Sequence, residues 1–214
     1  RTVRGDIHAG AVVWATGAWA RNLESEGLPL PVRSARMGHV VTQPVEPRPG
    51  PILHGPNGVH GCGALTDLPS FVPDAFGSIG GPGPDGEGPI AYDDYLASSR
   101  SGQLHLGGGI DGEGSLNPHV SARSTAAMIT RFVERYPHLA HVGVTGLWAG
   151  LTSSTPDGLP IVDRVDGVFV NVGHEWGLAS GPICGQILAE AIAGESDAFH
   201  GVLAATRPGL DLVG

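Results

Sequence analysis

Gly173-His174-Glu175-Trp176-Gly177 is the stretch of this chain best suited to chemistry. It follows an apolar β-type run, Val168-Phe-Val-Asn-Val172, and precedes a helical pattern that opens at Pro182. A strand running through a glycine loop into a helix N-terminus brings bare backbone N–H groups against an anionic or electron-rich ligand. Such a helix end presents roughly half a positive charge and unpaired donors. The pattern predicts a cofactor edge. Within it, His174 either contacts the ligand or ties down the loop backbone. Trp176 is either an aromatic wall or a core residue. Ser180 reads as a helix cap rather than a catalytic hydroxyl, and Cys184, among apolar neighbours, as a small buried hydrophobe.

The elements around this loop have to hold it in place. Upstream, Thr155-Pro156-Asp157-Gly158 is a turn, with proline presetting one dihedral and glycine supplying another, and Leu159-Pro-Ile-Val162 behind it reads as a buried strand. Pro182–Ala193 reads as a helix with Ile183, Ile187, Leu188, Ala191 and Ile192 on one side and Gly194 past its end. A second amphipathic helix spans Ser121–Tyr136, with Ala122, Ala126, Ile129, Phe132 and Val133 on its inner face, Ser121 as cap and Pro137 just beyond.

Earlier in the chain, Ile7–Ala15 reads as a strand covered on both faces, followed by a tight turn at Thr16-Gly17-Ala18-Trp19. Strands are expected over Met37–Gln43, Ile90–Ser98 and Gln103–Leu106, the last two joined by a hairpin-like turn at Arg100-Ser101-Gly102. Between them, Pro44–Gly88 is dense in glycine and proline and predicts long loops, as a lid or an exposed excursion. No internal repeat is visible, and the residues beyond Glu195 carry little pattern.

The chain of 214 residues is 41% hydrophobic, enough for a sizeable core in one domain or two lobes. Its net charge of −9 argues against nucleic acid as a partner. All 12 positive charges are arginine, so Schiff-base lysine chemistry and lysine-based phosphate loops are excluded. Cys62 and Cys184 have no metal-type spacing, which predicts neither a structural metal nor a disulfide and suits a reducing compartment. No apolar run reaches the ~18 residues of a membrane helix. The expectation is a soluble, cytoplasmic protein with no membrane or nucleic-acid partner. The opening residues read as the middle of a domain, which predicts a piece of something larger.

Several motifs in this order resemble the C-terminal part of FAD-dependent amine and amino-acid oxidoreductases, the superfamily of D-amino-acid, glycine and sarcosine oxidases. They are the strand with Thr16-Gly17-Ala18-Trp19, Arg36-Met37-Gly38-His39, the Arg100–Gly109 strand with its paired glycines, Thr155-Pro156-Asp157-Gly158 and the Gly-His loop. The resemblance covers nearly the whole chain. It implies an α+β fold: a mixed, largely antiparallel sheet of a substrate domain backed by helices. To this is added the C-terminal strand-loop-helix of an FAD-binding domain whose Rossmann half is missing, since no Gly-x-Gly-x-x-Gly strand-turn-helix occurs. The implied domains are residues 1–22, the end of the FAD-binding domain; 23–145, the substrate domain; 146–195, the flavin-edge segment; and 196–214, a C-terminal tail.

For the site, the resemblance implies non-covalent FAD, since neither cysteine lies between Leu151 and Asp157, and no metal. The implied cofactor residues are Thr16, Gly17, Ala18, Trp19, Gly150, Gly173, His174, Gly177, Leu178, Ala179 and Ser180. His174, Glu175 and Trp176 would lie nearest the reacting atoms, and Arg36, Arg100 and Thr152 would face the substrate. Family members acting on simple amino acids carry an arginine where this chain has Thr152, and a threonine cannot grip a carboxylate as a guanidinium does. The implied reaction is oxidation of a C–N bond of an amine or amino acid by hydride transfer to flavin. The implied partner is an N-terminal Rossmann half or a partner subunit, in a hetero- or homo-oligomer. Two alternatives stay open: a non-catalytic subunit or degenerate fragment of a flavoprotein complex, and a flavoenzyme oxidising a 2-hydroxy acid.

Overall fold

Contacts in the computed structural model divide the chain into two units, Arg1–Ser34 with Thr152–Gly214, and Ala35–Leu151. The structure describes residues 3–55, 69, 91–195 and 198–210.

The first unit is built on a three-stranded sheet in the order β1 (Val13–Trp14), β8 (Val168–Val172), β7 (Ile161–Val165). β7 and β8 form a hairpin in which Ile161 opposes Val172 and Val165 opposes Val168. Its two-residue turn, Asp166-Gly167, has φ of 46° and 84°, the left-handed pair that matches the twist of the strands. β1 lies parallel to β8, with Val13 opposite Phe169. Alternation along the hairpin separates two cores. Ile161, Val170 and Val172 pack with Ala20, Leu23, Leu28, Val32 and Leu210. Val162 packs with Cys184, Ile187, Leu188 and Leu203. Cys184, Ile187 and Leu188 belong to α2 (Gly177–Ala193), and Leu203 to the short α3 (His200–Leu203).

Several expectations need correction in this unit. Only Val13–Trp14 of the strand expected over Ile7–Ala15 enters a ladder, and Ile7, Val12 and Val13 are exposed rather than covered. An apolar run records what a segment can bury, not whether this chain supplies the cover. Thr16–Trp19 is not a tight turn but the entry to a 3-10 helix, Gly17–Glu26. Its three-residue period puts Ala20 and Leu23 on one buried line. α2 begins at Gly177, with Pro182 inside it, because the Trp176 carbonyl already accepts from the Ala179 and Ser180 N–H groups. The inner face of α2 is Cys184, Ile187 and Leu188, while Ile183 and Ile192 are exposed. Apolar residues ring this helix, so periodicity alone does not select the buried side. The stretch expected to be a tail contributes Leu203 and Leu210 to the two cores.

The second unit carries a five-stranded sheet in the order β3 (Leu53–His54), β4 (Ala91–Ser98), β5 (Gln103–Asp111), β2 (Arg33–Pro44), β6 (Val144–Ser154). β3–β4, β4–β5 and β5–β2 are antiparallel. The unit boundary falls inside β2 at one end and β6 at the other. One face is covered by α1 (Ala122–Arg135), with Val40, Leu96 and Leu106 packed against Met128 and Phe132. Ser121 caps α1, accepting the Ser124 N–H at 3.0 Å, as its position predicts.

The inner face of α1 is Ser124, Met128 and Phe132, whereas Ala122, Ala126 and Val133 are exposed. Glycines in the sheet explain this rotation. A Cβ on Gly38 would come within 2.9 Å of Val120 and 3.2 Å of Met128, and one on Gly109 would land on Ser124 Oγ. The helix seats a small polar residue in a glycine groove, which an apolar pattern cannot signal. The glycine- and proline-rich stretch expected over Pro44–Gly88 lies largely outside the described residues, as does Cys62.

Candidate functional site

In the first unit, β8 leads through Gly173 into the loop ahead of α2. Gly173 has φ +76°, and a Cβ there would lie 2.5 Å from the Cγ2 methyl of Thr155. Only glycine fits both the dihedral and the space. His174 follows, bonded through both ring nitrogens: Nε2 lies 2.5 Å from Asn171 Oδ1, and Nδ1 3.0 Å from Ser180 Oγ. Burial pushes the His174 pKa down, which favours the neutral ring with a single N–H. That proton faces the Asn171 oxygen, so Nδ1 accepts from the Ser180 hydroxyl. Ser180 Oγ also lies 3.2 Å from the Trp176 carbonyl, but that carbonyl is already served by two backbone N–H groups. The imidazole thus ties the end of β8 to the first turn of α2. Asn171, a lone polar residue in an apolar strand run, was the available signal for this partner.

No side chain caps the N-terminus of α2. The Gly177 and Leu178 N–H groups stand ahead of the first intrahelical bonds, and Leu178 and Trp176 are exposed beside them. Ser180, expected as a cap, lies inside the helix. Glu175 is exposed, with its carboxylate near Gly158 of the Thr155–Gly158 turn. Gly158 has φ +75° and its N–H bonds the Thr155 carbonyl, as the turn chemistry predicts. Near the other cofactor candidates, Gly17 has φ +56°, Ala18 is core and Trp19 is exposed. Cys184 is buried and its thiol pKa is pushed up, as for an inert packing residue.

The Thr155–Gly158 turn has a partner that nothing in the sequence signalled. Arg207 grips Asp157 with two bonds, Nε to Oδ2 at 2.7 Å and Nη2 to Oδ1 at 2.9 Å. This guanidinium holds the Asp157 carboxyl well below the usual carboxylate range.

In the second unit, the sheet face opposite α1 carries a separate cluster. His39 is buried, Tyr95 OH lies 2.9 Å from its Nδ1, and Trp148 stacks on it with centroids 4.0 Å apart and planes at 16°. Gly107 makes this possible, since a Cβ there would lie 2.5 Å from His39 Nδ1 and 2.7 Å from Tyr95. Burial, then repulsion from His105, lowers the His39 pKa to about 4. Gly150 follows Trp148 at two-residue spacing along β6, the spacing of one strand face, and Thr152 lies past the unit boundary, in the first unit.

The arginine candidates do not join this cluster. Arg36 is buried and pairs with Asp111 at 2.7 Å. Asp111 also accepts from the Ser121 hydroxyl at the start of α1, on the other side of the sheet. Its charge is committed there because a guanidinium without a carboxylate is costly to bury. Arg100 is exposed at the tip of the β4–β5 hairpin, beyond the end of β4. The structure therefore gathers Gly173, His174, Glu175, Gly177 and Ser180 with the Thr155–Gly158 turn in the first unit, while Arg36 and Arg100 belong to the second.

Among the described residues no group of three or more His, Cys, Asp or Glu could hold a metal ion, and no helix is long and apolar enough to cross a membrane. The family model described as FAD dependent oxidoreductase matches residues 1–191. Sarcosine oxidase subunit beta of an Arthrobacter species is 26% identical over 91% of this chain and 41% of its own length. Glycine oxidase of Pseudomonas aeruginosa is 27% identical over 90% of this chain and 44% of its own. The chain thus spans less than half the length of these relatives. Among solved structures, glycine oxidase from Geobacillus kaustophilus superposes with a TM-score of 0.65 at 23% identity, over 96% of this chain and 47% of that one. L-Proline dehydrogenase from P. horikoshii gives 0.66 at 20%, over 95% and 48%. At these identities the superpositions speak for the fold.

Proposed function

The chain belongs to the FAD-dependent oxidoreductase family, and from that premise we propose that it serves oxidation of a C–N bond in an amine or amino acid. When bound, FAD supplies the two-electron acceptor: hydride leaves the substrate carbon, a proton leaves its nitrogen, and a C=N bond forms. The observation that carries this reading is the uncapped N-terminus of α2 behind a loop that admits only glycine at position 173. These residues fit a ring edge that must be approached by bare backbone. Gly177 and Leu178 would direct their N–H groups at the pyrimidine carbonyl, where negative charge gathers on reduction. His174, neutral and bonded on both sides, holds the loop rather than exchanging protons. Thr16, Gly17, Ala18 and Trp19 would line another part of the cofactor, and it would stay non-covalent because neither cysteine lies between Leu151 and Asp157. The pyrophosphate would be held by a further portion of the enzyme, on this polypeptide or a partner subunit. The names of relatives such as sarcosine oxidase subunit beta and hydrogen cyanide synthase subunit HcnC suit an assembly of several chains.

Thr152, in place of an arginine, favours a substrate whose group near Thr152 is neutral or cationic. Glu175 is the anionic side chain available to a cation beside the loop. Anaerobic mixing of the FAD-loaded enzyme with amines, amino acids and 2-hydroxy acids tests this reading. Bleaching by an amine supports it, and bleaching by hydroxy acids alone contradicts it.

A further inference from the structure

Arg207 lies in the segment after α3, where the sequence carries little pattern, yet its guanidinium is almost completely buried, with a side-chain exposure of 4%. Besides its two bonds to Asp157, it donates to three carbonyls: Leu159 at 2.6 Å, Pro160 at 3.1 Å and Ala204 at 3.2 Å. Asp157 Oδ1 also accepts from the Leu159 N–H at 3.2 Å and faces Thr155 Oγ1 at 3.0 Å. The Thr155 hydroxyl lies closer to the Leu159 carbonyl, at 2.7 Å. The turn from Thr155 to Leu159 is therefore locked around one cation. Thr155 then presses its methyl against the bare Cα of Gly173. The next residue is His174, bonded to Asn171 and Ser180.

We propose that Arg207 is a positioning residue for the Gly173–Gly177 loop, acting through Asp157 and the Thr155 methyl, and through the loop on the N-terminus of α2. A buried guanidinium–carboxylate pair is a poor source of net stability, because desolvation offsets its attraction, but its fork geometry fixes the groups it touches. Here those groups are the Asp157 carboxylate and the Leu159 and Pro160 carbonyls of the turn and its exit, with the Ala204 carbonyl anchoring the guanidinium to its own segment. The loop meets the turn at Gly173, where no side chain intervenes, and again at Glu175, whose carboxylate lies near Gly158. The proposal rests on the reading that this loop meets the flavin, so its test has one arm that needs no cofactor.

The first arm is hydrogen exchange where the Gly173–Gly177 loop meets α2, read at the Ala179 and Ser180 amides that bond the loop's Trp176 carbonyl, in the full-length protein, comparing wild type with Arg207→Met and Thr155→Ser. Thr155→Ser keeps the hydroxyl and removes only the methyl, so it reports even if Arg207→Met fails to fold. Loss of a charged hydrogen bond or of the methyl contact is expected to speed exchange at these amides by about tenfold, with β7 and β8 unchanged. Unchanged exchange at these amides, or acceleration spread evenly over the first unit, would overturn the proposal. The second arm is the flavin midpoint potential in the FAD-loaded enzyme. A lowered potential in both variants supports positioning of α2 toward the ring. Faster exchange at these amides with an unmoved potential leaves Arg207 as the loop's positioning residue and refutes the flavin reading of the loop.

Discussion

Trp148 lies flat on His39, 4.0 Å between ring centroids, on the sheet face opposite α1. The two residues are far apart in sequence and come from β6 and β2, which neighbour each other in the sheet. Their stack closes over an imidazole that already meets the Tyr95 hydroxyl, and burial, then repulsion from His105, keeps that imidazole neutral.

The folded pKa of His39 is lowered to about 4 from 6.5, so the unfolded chain takes up the proton first as pH falls. The contribution of the neutral ring is fully present above 6.5 and is lost as pH falls from there toward 4. An NMR titration of His39 should place its midpoint near 4. Replacing it with phenylalanine keeps a stacking ring, costs about 1 kcal/mol through the Tyr95 bond, and flattens the pH dependence of stability in this window. A midpoint at the ordinary histidine value would contradict the burial argument.

Gly173→Ala should destabilise the first unit by roughly 1–3 kcal/mol, through the positive φ and the collision with the Thr155 methyl. Adding Thr155→Ser removes that methyl and should recover part of the loss, leaving the dihedral strain. Urea unfolding of the two single variants and the double variant measures the coupling. Simple additivity would mean the contact is not what excludes a side chain.

Asp157→Asn should cost about 3 kcal/mol, the lower end for breaking a buried pair, because Asp157 keeps some exposure. The sign of its pH effect is opposite to a basic group's. The carboxyl pKa is depressed on folding, so its stabilisation is present above the ordinary carboxylate value of 3.8 and lost as pH falls through the folded value. Acid unfolding of the wild type and the variant should converge at low pH.

Thr152→Arg should improve kcat/KM for amino acids over neutral amines by about tenfold, the worth of one charge-assisted contact. Glu175→Gln should weaken selection of cationic substrates over neutral ones. Unchanged ratios in both variants would remove Thr152 and the loop's Glu175 from the specificity account.

Where local chemistry decides the structure, the sequence was readable. Val168–Val172 is the strand its apolar run indicates, Ser121 caps α1, and the Thr155–Gly158 turn has glycine at its left-handed position. The glycine loop leading to a helix was legible for the same reason. Where packing between distant segments decides, it was not. The inner face of α1 follows the Gly38–Gly109 groove, α2 is apolar on more than one side, and His39 meets Trp148 only once the sheet forms. Arg207 is a single cation in a weakly patterned segment, and its role depends on a carboxylate 50 residues away. The Arg36–Asp111 pair was equally hidden, since it joins residues 75 apart in sequence.

The claim on which the rest depends is that the loop and α2 carry the ring edge of FAD. The direct measurement is the visible spectrum of the protein purified with the portion or partner that supplies the pyrophosphate site, after addition of FAD and removal of unbound cofactor. The account predicts a retained yellow chromophore whose bands differ from those of free FAD, and a shift of those bands in Gly173→Ala. A colourless assembly, or a bound flavin whose spectrum ignores that substitution, would contradict it.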